Sequence, residues 1–373
     1  MLRICLTGGP GAGKTEICSH LAEELENRGY FVFFVPETAT ELMLNGIRPN
    51  NYITGTAFQS FVIDKQLSKE TLYNDLANYY PEDKIVIFYD RGLLDGSSYI
   101  SHDEFITLLQ EKGLTVADVY SHYDAVLHLV TAADGAERYY QWNNPESDSV
   151  GNNASRLETP EQARVQDKKT LNAWVGHPHL RVFDNSTDFE GKVKRVVKEV
   201  FALLGEPEPK EIERKFLIKK PTAAEIAKLG CVAQTDIIQT YLKSTNSNVE
   251  RRVRQRGTPQ DGYIFYYTEK RDVGLGERIE REERISQAEY IRYLTEADTS
   301  LHMVSKRRSC FMFSNHYFEM DVYAFDSDYA IVEVELNDLN ELIDMPDLTV
   351  IKEVTGDSRY KNKYIAQTLK LDV

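Results

Sequence analysis

The sequence predicts two domains of different fold class, an α/β domain with a parallel sheet followed by a mostly antiparallel sheet or barrel. A glycine-rich phosphate-binding motif lies near the N-terminus, and apolar strand-like runs alternate with helical segments up to about residue 205. From about residue 210 the hydrophobic period changes to two, and charged residues alternate along successive strands. We therefore expect one domain at 1–205, a linker at 206–209 that carries prolines and charges, and a second domain at 210–373.

Five apolar runs in the first half have the length of buried strands. They lie at residues 2–6, 31–35, 85–89, 125–130 and 180–183, with helical patterns such as 15–28 and 191–204 between them. Apolar strands separated by helices are typical of a parallel sheet covered on both faces. The chain of 373 residues is long enough for two such cores.

Composition narrows the classes of partner. The formal net charge of −15 argues against non-specific nucleic-acid binding, so we expect no nucleic-acid partner. The four cysteines are scattered without metal-ligand spacing, which favours free thiols in a reducing compartment. We find no signal peptide and no apolar stretch of about 20 residues, so we expect a cytoplasmic protein without a transmembrane segment.

Residues 8–15 read GGPGAGKT, a phosphate-binding loop between an apolar strand and a helix. Gly8, Gly11 and Gly13 would let backbone N–H groups surround phosphate oxygens. Lys14 would reach the β- and γ-phosphates, and Thr15 would ligate Mg²⁺. The alternative is a plain glycine turn. The motif predicts binding of ATP or GTP together with Mg²⁺ or Mn²⁺.

Two carboxylates follow apolar strands and are candidates for catalysis. Asp90 ends the run 85–90, where it could hold Mg²⁺ or its water, and the alternative is an Asp that caps the next turn. Glu37 follows the second strand and could be the general base for a hydroxyl acceptor, or simply a solvated loop residue. Asp95 is a weaker metal candidate, and 58–59 (Phe-Gln) could line an acceptor or base pocket.

Two arginines flank the predicted start of a helix. The polar segment 133–153 precedes a Thr-Pro-Glu-Gln sequence at 159–162, which is typical of a capped helix N-terminus. Arg156 and Arg164 lie on either side of it. We interpret them as lid arginines that approach the γ-phosphate, with solvent-exposed helix arginines as the alternative.

These motifs together resemble the P-loop domain shared by the nicotinamide-ribose kinase part of NadR and the TRPL translocation defect family. The resemblance is carried by GGPGAGKT, Pro-Glu after the second strand, Phe-Gln, Tyr-Asp-Arg-Gly and an Arg-x-Glu-Thr…Ala-Arg lid, with His-Pro-His-Leu…Phe-Asp-Asn at 177–185. It implies a kinase-like nucleotide-binding domain.

The second half places like charges two residues apart on strand after strand, so each such pair falls on one face of the sheet. The acids on this face are Glu211, Glu213, Glu280, Glu282, Glu319, Asp321, Glu333 and Glu335, and the bases are Lys215, Arg252, Arg254, Lys270, Arg278, Lys306 and Arg308. A solvated sheet face is the alternative, but several opposite faces are apolar. Because acid pairs and basic pairs lie on separate strands, we expect one side to bind metal and the other phosphate.

This half resembles the CYTH, or triphosphate tunnel, superfamily. Its E-x-E-x-K, R-x-R, K-x-R and E-x-E motifs stand here at 211–215, 252–254, 306–308 and 333–335. The resemblance implies an eight-stranded antiparallel tunnel that binds a triphosphate-bearing ligand with a divalent metal. It also implies metal ligation by Glu211, Glu213, Glu333 and Glu335, and phosphate binding by Lys215, Arg252, Arg254, Lys270, Arg278, Lys306 and Arg308.

The order of the two domains matches the TRPL translocation defect family as a whole. One hypothesis is therefore an enzyme, a triphosphatase or phosphotransferase. The other is a nucleotide-regulated switch, peripheral at membranes, whose tunnel holds a phosphoinositide headgroup without turnover. The complete set of acids favours metal-dependent chemistry, because a simple anion binder has no need of them. No N-K-x-D guanine-reading motif is present, so the preferred base stays open.

Overall fold

The computed structural model describes residues 1–81, 84–140, 158–206, 213–230, 232–246, 249–274, 277–326, 328–336 and 342–371. Side chains are described for all of these except 271–274, 277–280 and 335. Residues 207–209 of the expected linker therefore lie outside the described ranges. The chain divides into two units, Met1–Leu204 and Gly205–Val373.

The N-terminal unit is built on a five-stranded sheet in the order β2-β3-β1-β4-β5. All four neighbouring pairs are parallel, so the predicted α/β class is confirmed. Val, Ile and Phe dominate the strands because their side chains fill a sheet buried on both faces. The strands are β1 (Leu2–Gly8), β2 (Phe31–Val35), β3 (Ile85–Asp90), β4 (Ala125–Leu129) and β5 (Leu180–Phe183).

Helices cover this sheet. They are α1 (Lys14–Glu26), α2 (Thr38–Leu44), α3 (Gly55–Ala77), α4 (His102–Glu111), α5 (Val116–Ser121), α6 (Pro160–Trp174) and α7 (Phe189–Leu203). In α1, Ile17, Leu21 and Leu25 recur every four residues and form one buried stripe. The stripe packs in one core with Val196 and Val200 of α7.

The start of α6 follows the sequence prediction. Thr159 accepts a hydrogen bond from the backbone N–H of Gln162, and Pro160 occupies the first helical turn. Pro fits there because that N–H has no partner inside the helix. The predicted capped N-terminus is thus confirmed.

The sheet order creates a crevice at the carboxyl end of β1. Strand β1 lies between β3 and β4, so the connection from β3 to β4 crosses from one side of β1 to the other. In open α/β sheets, ligands bind where the strand order reverses in this way. Leu6 of β1 is in register with Asp90 of β3, which brings the glycine loop and Asp90 to the same edge.

The C-terminal unit contains a nine-stranded sheet in the order β10-β9-β8-β7-β11-β12-β13-β6-β14, and every pair is antiparallel. The predicted antiparallel fold is confirmed, with nine strands rather than eight because the four-residue β14 pairs with β6. The strands are β6 (Glu213–Lys219), β7 (Val232–Leu242), β8 (Val249–Thr258), β9 (Gly262–Gly274), β10 (Glu277–Ile285), β11 (Val304–Phe313), β12 (His316–Tyr323), β13 (Tyr329–Glu335) and β14 (Val350–Glu353).

One face of this sheet is apolar and covered by two helices, α8 (Ala223–Lys228) and α9 (Gln287–Leu294). Phe311, Phe318 and Val332 form a core with Ile226 of α8. A second core joins residues of β8 and β9 to Tyr290 of α9. The apolar character predicted for this face is confirmed.

The other face carries the charges and is enclosed. Lys306 and Arg308 are 4 % and 6 % exposed, and Asp321 is wholly buried. The sheet and the segments packed on it therefore shield these charged side chains from solvent. We call the surface formed by these alternating residues of β6–β13 the charged face.

A C-terminal segment covers the apolar end of the charged face. Leu217 and Ile331 continue the inward row of Lys215 and Glu333, and they pack against Ile365 of α10 (Asn362–Thr368). Ile365 is wholly buried. A cluster of apolar side chains therefore borders the charged part of the face at this end.

No helix in the described part of the chain is both long and apolar enough to cross a membrane.

We predict that Ile365→Ala lowers the free energy of unfolding of the C-terminal unit by about 2–5 kcal/mol, because it leaves a cavity in a closed core. Ile351→Ala is the matched control, since Ile351 is 43 % exposed on β14, and its effect should stay under about 1 kcal/mol. Urea denaturation of the full chain, with hydrogen exchange to assign the transition, measures both. Equal effects of the two variants would contradict the packing of α10.

Candidate functional site

The glycine loop has the backbone that its sequence predicts. Gly8 and Gly13 have φ of +147° and +83°, conformations that L side chains rarely adopt. A Cβ on Gly8 would lie 2.1 Å from the carbonyl oxygen of Leu129, so only glycine fits beside β4. Gly11 also has a positive φ, of 73°. The loop leads directly into Lys14 and Thr15 at the N-terminus of α1.

Asp167 of α6 anchors this loop. Its Oδ1 accepts hydrogen bonds from the backbone N–H of Gly9 at 2.6 Å and of Thr131 at 3.2 Å. The Thr131 hydroxyl in turn donates to the carbonyl of Pro10 at 2.5 Å. A buried carboxylate therefore joins the loop to the segment that follows β4. The sequence carries no local signal for this contact, because 158 residues separate Gly9 from Asp167.

Two further buried residues support the same region. His128 is wholly buried, and its Nε2 lies 3.4 Å from Asp167 Oδ1. Lys192 donates from Nζ to the carbonyl of Val130 at 2.7 Å and to Asn185 Oδ1 at 3.0 Å. Burial lowers the pKa of Lys192 to about 8. Sequence reasoning missed both residues, since each lies inside an apolar or amphipathic run.

Lys14 and Asp90 face each other across the crevice. Lys14 Nζ lies 3.9 Å from Asp90 Oδ1, and the Lys14 side chain is 13 % exposed. Burial, and then the neighbouring Arg91, lower the pKa of Lys14. Because the positive charge of Arg91 adds to the cost of burying the Lys14 ammonium group, an anion bound in the crevice would favour the charged form of Lys14.

Asp90 has an atom suited to a cation. Its Oδ1 is buried and accepts no hydrogen bond among the described residues. Burial raises the pKa of Asp90 more than Lys14 lowers it, and Glu37 raises it further. Thr15 is exposed at the second position of α1, at the same edge of the sheet. A divalent cation with hard oxygen ligands fits this donor set.

Glu37 forms an ion pair with Arg91, 2.7 Å from Oε1 to Nε. Arg91 follows Asp90 with a φ of +68°, a left-handed conformation that is uncommon for arginine and turns the chain sharply after β3. Burial opposes ionisation of Glu37, but Arg91 and then Lys14 outweigh it and lower its pKa. Glu37 is therefore an anion at neutral pH. The sequence placed Arg91 in a motif but gave it no role.

The weaker candidates have structural contacts. Asp95 accepts from the Gly92 N–H at 2.8 Å and from Trp174 Nε1 at 3.3 Å, so it holds the turn after β3. Gln59 is 6 % exposed, and a Cβ on Gly96 would lie 2.6 Å from its Oε1.

Only one of the two expected lid arginines can be placed. Arg164 donates from Nη1 to the carbonyl of Ala133 at 2.6 Å and from Nη2 to Glu161 at 2.8 Å. It therefore links α6 to the segment after β4, and its role at a γ-phosphate stays a prediction. Arg156 lies outside the described residues.

Lys215 joins two of the predicted metal ligands on the charged face. Its Nζ lies 3.0 Å from Glu213 and 2.9 Å from Glu333. Burial opposes ionisation of Glu333, but Lys215 and then Arg308 outweigh it and lower its pKa to about 2. Of the other two predicted ligands, Glu211 and the side chain of Glu335 lie outside the described residues.

Arg308 bridges three strands. Its guanidinium contacts Glu319 and Asp321 of β12, the latter at 2.7 Å, and reaches Glu333 of β13 at 3.5 Å. Lys306 forms a second ion pair with Asp321. Burial lowers the pKa of Lys306, and Arg308 adds to this effect.

A row of arginines lines β8 on the same face. Arg254 pairs with Glu282 at 2.7 Å, and Arg252 is only 9 % exposed. The row continues to Arg256, 4 % exposed, which the period-two pattern could have indicated. Lys270 occupies the corresponding row of β9, and the side chain of Arg278 is outside the described set.

Basic side chains of β6 and β11 pair directly with the acids of β12 and β13. The reason is that alternating strands bring opposite charges to the same level of the sheet. The expected division, with acids that bind metal and bases that bind phosphate, stays a prediction. Within the described residues, no three His, Cys, Asp or Glu side chains form a ready metal cluster.

A family model described as an AAA domain matches residues 3–192, half of the chain. The chain belongs to this AAA domain family. Its first unit, with the phosphate loop described above, is accordingly a nucleotide-binding AAA domain. No curated protein matches the chain.

Among the solved structures that match, two cover less than half of this chain. The inorganic triphosphatase NE1496 is 29 % identical, with 43 % of this chain and 95 % of that chain covered and a TM-score of 0.31. The PH1012 protein from Pyrococcus horikoshii OT3 is 20 % identical, with 35 % and 81 % covered and a TM-score of 0.26.

We predict that Lys14→Ala lowers the affinity of the AAA domain for MgATP and MgGTP by 100-fold or more, on the order of 3 kcal/mol, because it removes a charge-assisted contact. Calorimetric titration of the full chain measures this. Arg254→Ala is the control, since it alters only the charged face. If Lys14→Ala binds as the wild type does while Arg254→Ala does not, the nucleotide sits in the C-terminal unit and the loop assignment is wrong.

The free energy of unfolding of the C-terminal unit should decrease in acid because Glu333 becomes protonated. Its pKa is lower in the folded protein, about 2, than in the unfolded chain, so its stabilising effect is present above about pH 4.3 and is lost as pH falls towards 2. Glu333→Gln should flatten the decline of unfolding free energy between pH 5 and pH 2 by up to about 3 kcal/mol. Denaturation curves at each pH test this. If the unfolding free energies of the wild type and of Glu333→Gln fell in parallel with pH, the ion pairs of Glu333 would not contribute to stability.

Proposed function

We propose that the protein handles triphosphate groups with a divalent metal in both units. The AAA domain binds MgATP or MgGTP and transfers the γ-phosphoryl group to a hydroxyl acceptor or to water. The C-terminal unit binds a triphosphate or polyphosphate compound and hydrolyses it. The observation that carries the proposal is common to both: basic side chains are held out of water beside carboxylates, around Lys14 in one unit and Arg308 in the other.

In the AAA domain each residue has a distinct role. Lys14 compensates charge on the β- and γ-phosphates, and backbone N–H groups of the glycine loop hold the oxygens. Asp90 and Thr15 would hold Mg²⁺, which lowers the charge of the phosphates when bound. The unpartnered Oδ1 of Asp90 supports this assignment.

Glu37 is proposed as the general base. Its carboxylate takes the proton of the acceptor hydroxyl or water, the acceptor oxygen forms a bond to the γ-phosphorus, and the bond to the β–γ bridging oxygen breaks to release the nucleoside diphosphate. Arg91 keeps Glu37 ionised and aimed at the crevice. Arg164 and Arg156 are proposed to approach the γ-phosphate from the lid.

In the C-terminal unit the basic side chains would exchange their carboxylate partners for phosphate oxygens. The predicted phosphate contacts are Lys215, Arg252, Arg254, Lys270, Arg278, Lys306 and Arg308. Glu213 and Glu333 would thereby be released from their bases and, together with Glu211 and Glu335, would hold Mg²⁺ or Mn²⁺, which orients water for attack when bound.

A second function is favoured by one contact. Because Lys215 pairs with both Glu213 and Glu333, and Arg308 also reaches Glu333, these acids have cationic partners in the enclosed face without a metal. The alternative is a nucleotide-regulated switch that binds a phosphoinositide headgroup without turnover. The domain order of this chain, which resembles that of the TRPL translocation defect family, supports this alternative.

We predict that Glu213→Gln, in a Lys14→Ala background that silences the AAA domain, reduces metal-dependent tripolyphosphate turnover by 100-fold or more. Glu353→Gln is the matched control, because this carboxylate pairs with Arg214 on the outer face and is largely solvated. Phosphate release measures turnover and calorimetry measures binding. Both are carried out on the full chain, with Mg²⁺ or Mn²⁺ titrated and with EDTA.

Arg254→Ala should weaken tripolyphosphate binding both with and without metal, because its guanidinium contacts phosphate rather than metal. Equally tight binding in EDTA, together with no turnover by the parent protein, would contradict the enzyme. Binding of vesicles that contain a phosphoinositide, lost in Arg254→Ala, would then support the switch.

A further inference from the structure

A buried carboxylate lies behind the crevice of the AAA domain, apart from the groups that face it. Glu70 of α3 is 4 % exposed. Tyr123 Oη and Gln66 Nε2 donate to its Oε1 at 2.6 and 3.1 Å, and His122 Nδ1 lies 2.5 Å from its Oε2. A carboxylate removed from water is tolerated when its oxygens are hydrogen-bonded in this way.

One branch of this network leads to Glu37. Gln66 gives its N–H to Glu70, so its carbonyl Oε1 points the other way and accepts the hydroxyl of Thr38 at 2.5 Å. Thr38 is the first residue of α2, directly after Glu37, and is 3 % exposed. The orientation of the Gln66 amide is therefore set by Glu70.

The other branch leads to Arg91. Tyr123 gives its O–H to Glu70, which leaves its oxygen lone pairs to accept the backbone N–H of Leu93 at 2.9 Å. Leu93 begins the turn that follows Arg91 and Gly92. Tyr123 is itself 3 % exposed and packs edge-on against Tyr89 at 5.4 Å and Trp174 at 5.4 Å.

Both branches end on Glu70 as the common acceptor. A chain of hydrogen bonds that all point the same way is polarised along its length, and it loses its direction if the final acceptor becomes a donor. Glu37 and Arg91 come from different strand ends, β2 and β3. Their 2.7 Å contact thus depends on two loops that share one buried anchor.

We propose that Glu70 is a positioning residue that holds Glu37 and Arg91 in register through Gln66–Thr38 on one side and Tyr123–Leu93 on the other. The proposal rests on the proposed role of Glu37 for its catalytic meaning, but not for its geometry. Glu70 touches neither phosphate nor acceptor. It acts by fixing where the general base and its arginine point.

The test uses the full chain with Glu70→Met, which keeps the length of the side chain but removes the oxygen that accepts from both Tyr123 and Gln66. Glu41→Gln is the matched control, because Glu41 also joins α2 to α3, through Lys65 and Lys69, but from the solvent side. Hydrogen exchange is followed in peptides that cover residues 36–44 and 91–98.

We expect exchange in both peptides to accelerate roughly 10-fold or more in Glu70→Met and to stay unchanged in Glu41→Gln. The branches can also be cut one at a time. Thr38→Val should accelerate only 36–44, and Tyr123→Phe only 91–98. Unchanged exchange in Glu70→Met, or a general acceleration over the whole unit, would overturn the proposal.

Turnover separates this inference from the proposed function. We expect Glu70→Met to lower kcat for MgATP or MgGTP about 10-fold or more while KM changes less than about 3-fold, because Lys14 and the glycine loop are untouched. If Glu37→Gln retains full turnover while the exchange results hold, the role of Glu37 is wrong and the positioning network stands. If Glu37→Gln abolishes turnover but Glu70→Met has wild-type kcat and exchange, the positioning role is wrong.

Discussion

The burial of charge is the constraint on which both units depend. A carboxylate or an ammonium group taken out of water must meet an opposite charge or several hydrogen bonds, or the fold loses several kcal/mol. The AAA domain meets this requirement unevenly: Asp167 and Glu70 each accept two hydrogen bonds, whereas Lys14 and Asp90 face each other at 3.9 Å. The charged face of the C-terminal unit meets it more evenly, through ion pairs across neighbouring strands.

This difference in hydrogen bonding distinguishes the carboxylates that stabilise the fold from those that are available to bind a ligand. Asp95, Asp167 and Glu70 use their oxygens on backbone and side-chain donors of the protein itself. Asp90 keeps one buried oxygen that accepts no hydrogen bond from the part of the chain that the structure describes. The difference cannot be seen in residue type, since all are carboxylates near the ends of strands or inside helices. It comes from which donors the fold brings to each one.

The sequence predicted those features that depend on local patterns. The five parallel strands, the glycine loop and the capped start of α6 follow from apolar runs, glycine spacing and a Thr-Pro-Glu-Gln motif. The period-two charges identified the inward face of the C-terminal sheet. Asp167, His128 and Glu70 could not be found in this way, because their partners lie far along the chain and only the folded sheet brings them together. The pairing of Lys215 with Glu213 and Glu333 also depends on register between β6 and β13, which no single strand encodes.

On the charged face, the basic side chains of the ion pairs already carry carboxylate partners, as the fixed charges of an ion-exchange resin carry counter-ions. Arg308 holds three carboxylates, so an arriving polyanion displaces attached counter-charges instead of meeting a bare cation. The net attraction at long range is small, and discrimination takes place only on contact. Such a surface would reject isolated chloride or monophosphate, which cannot replace several carboxylates at once, and would favour a ligand that presents several oxyanions along one line.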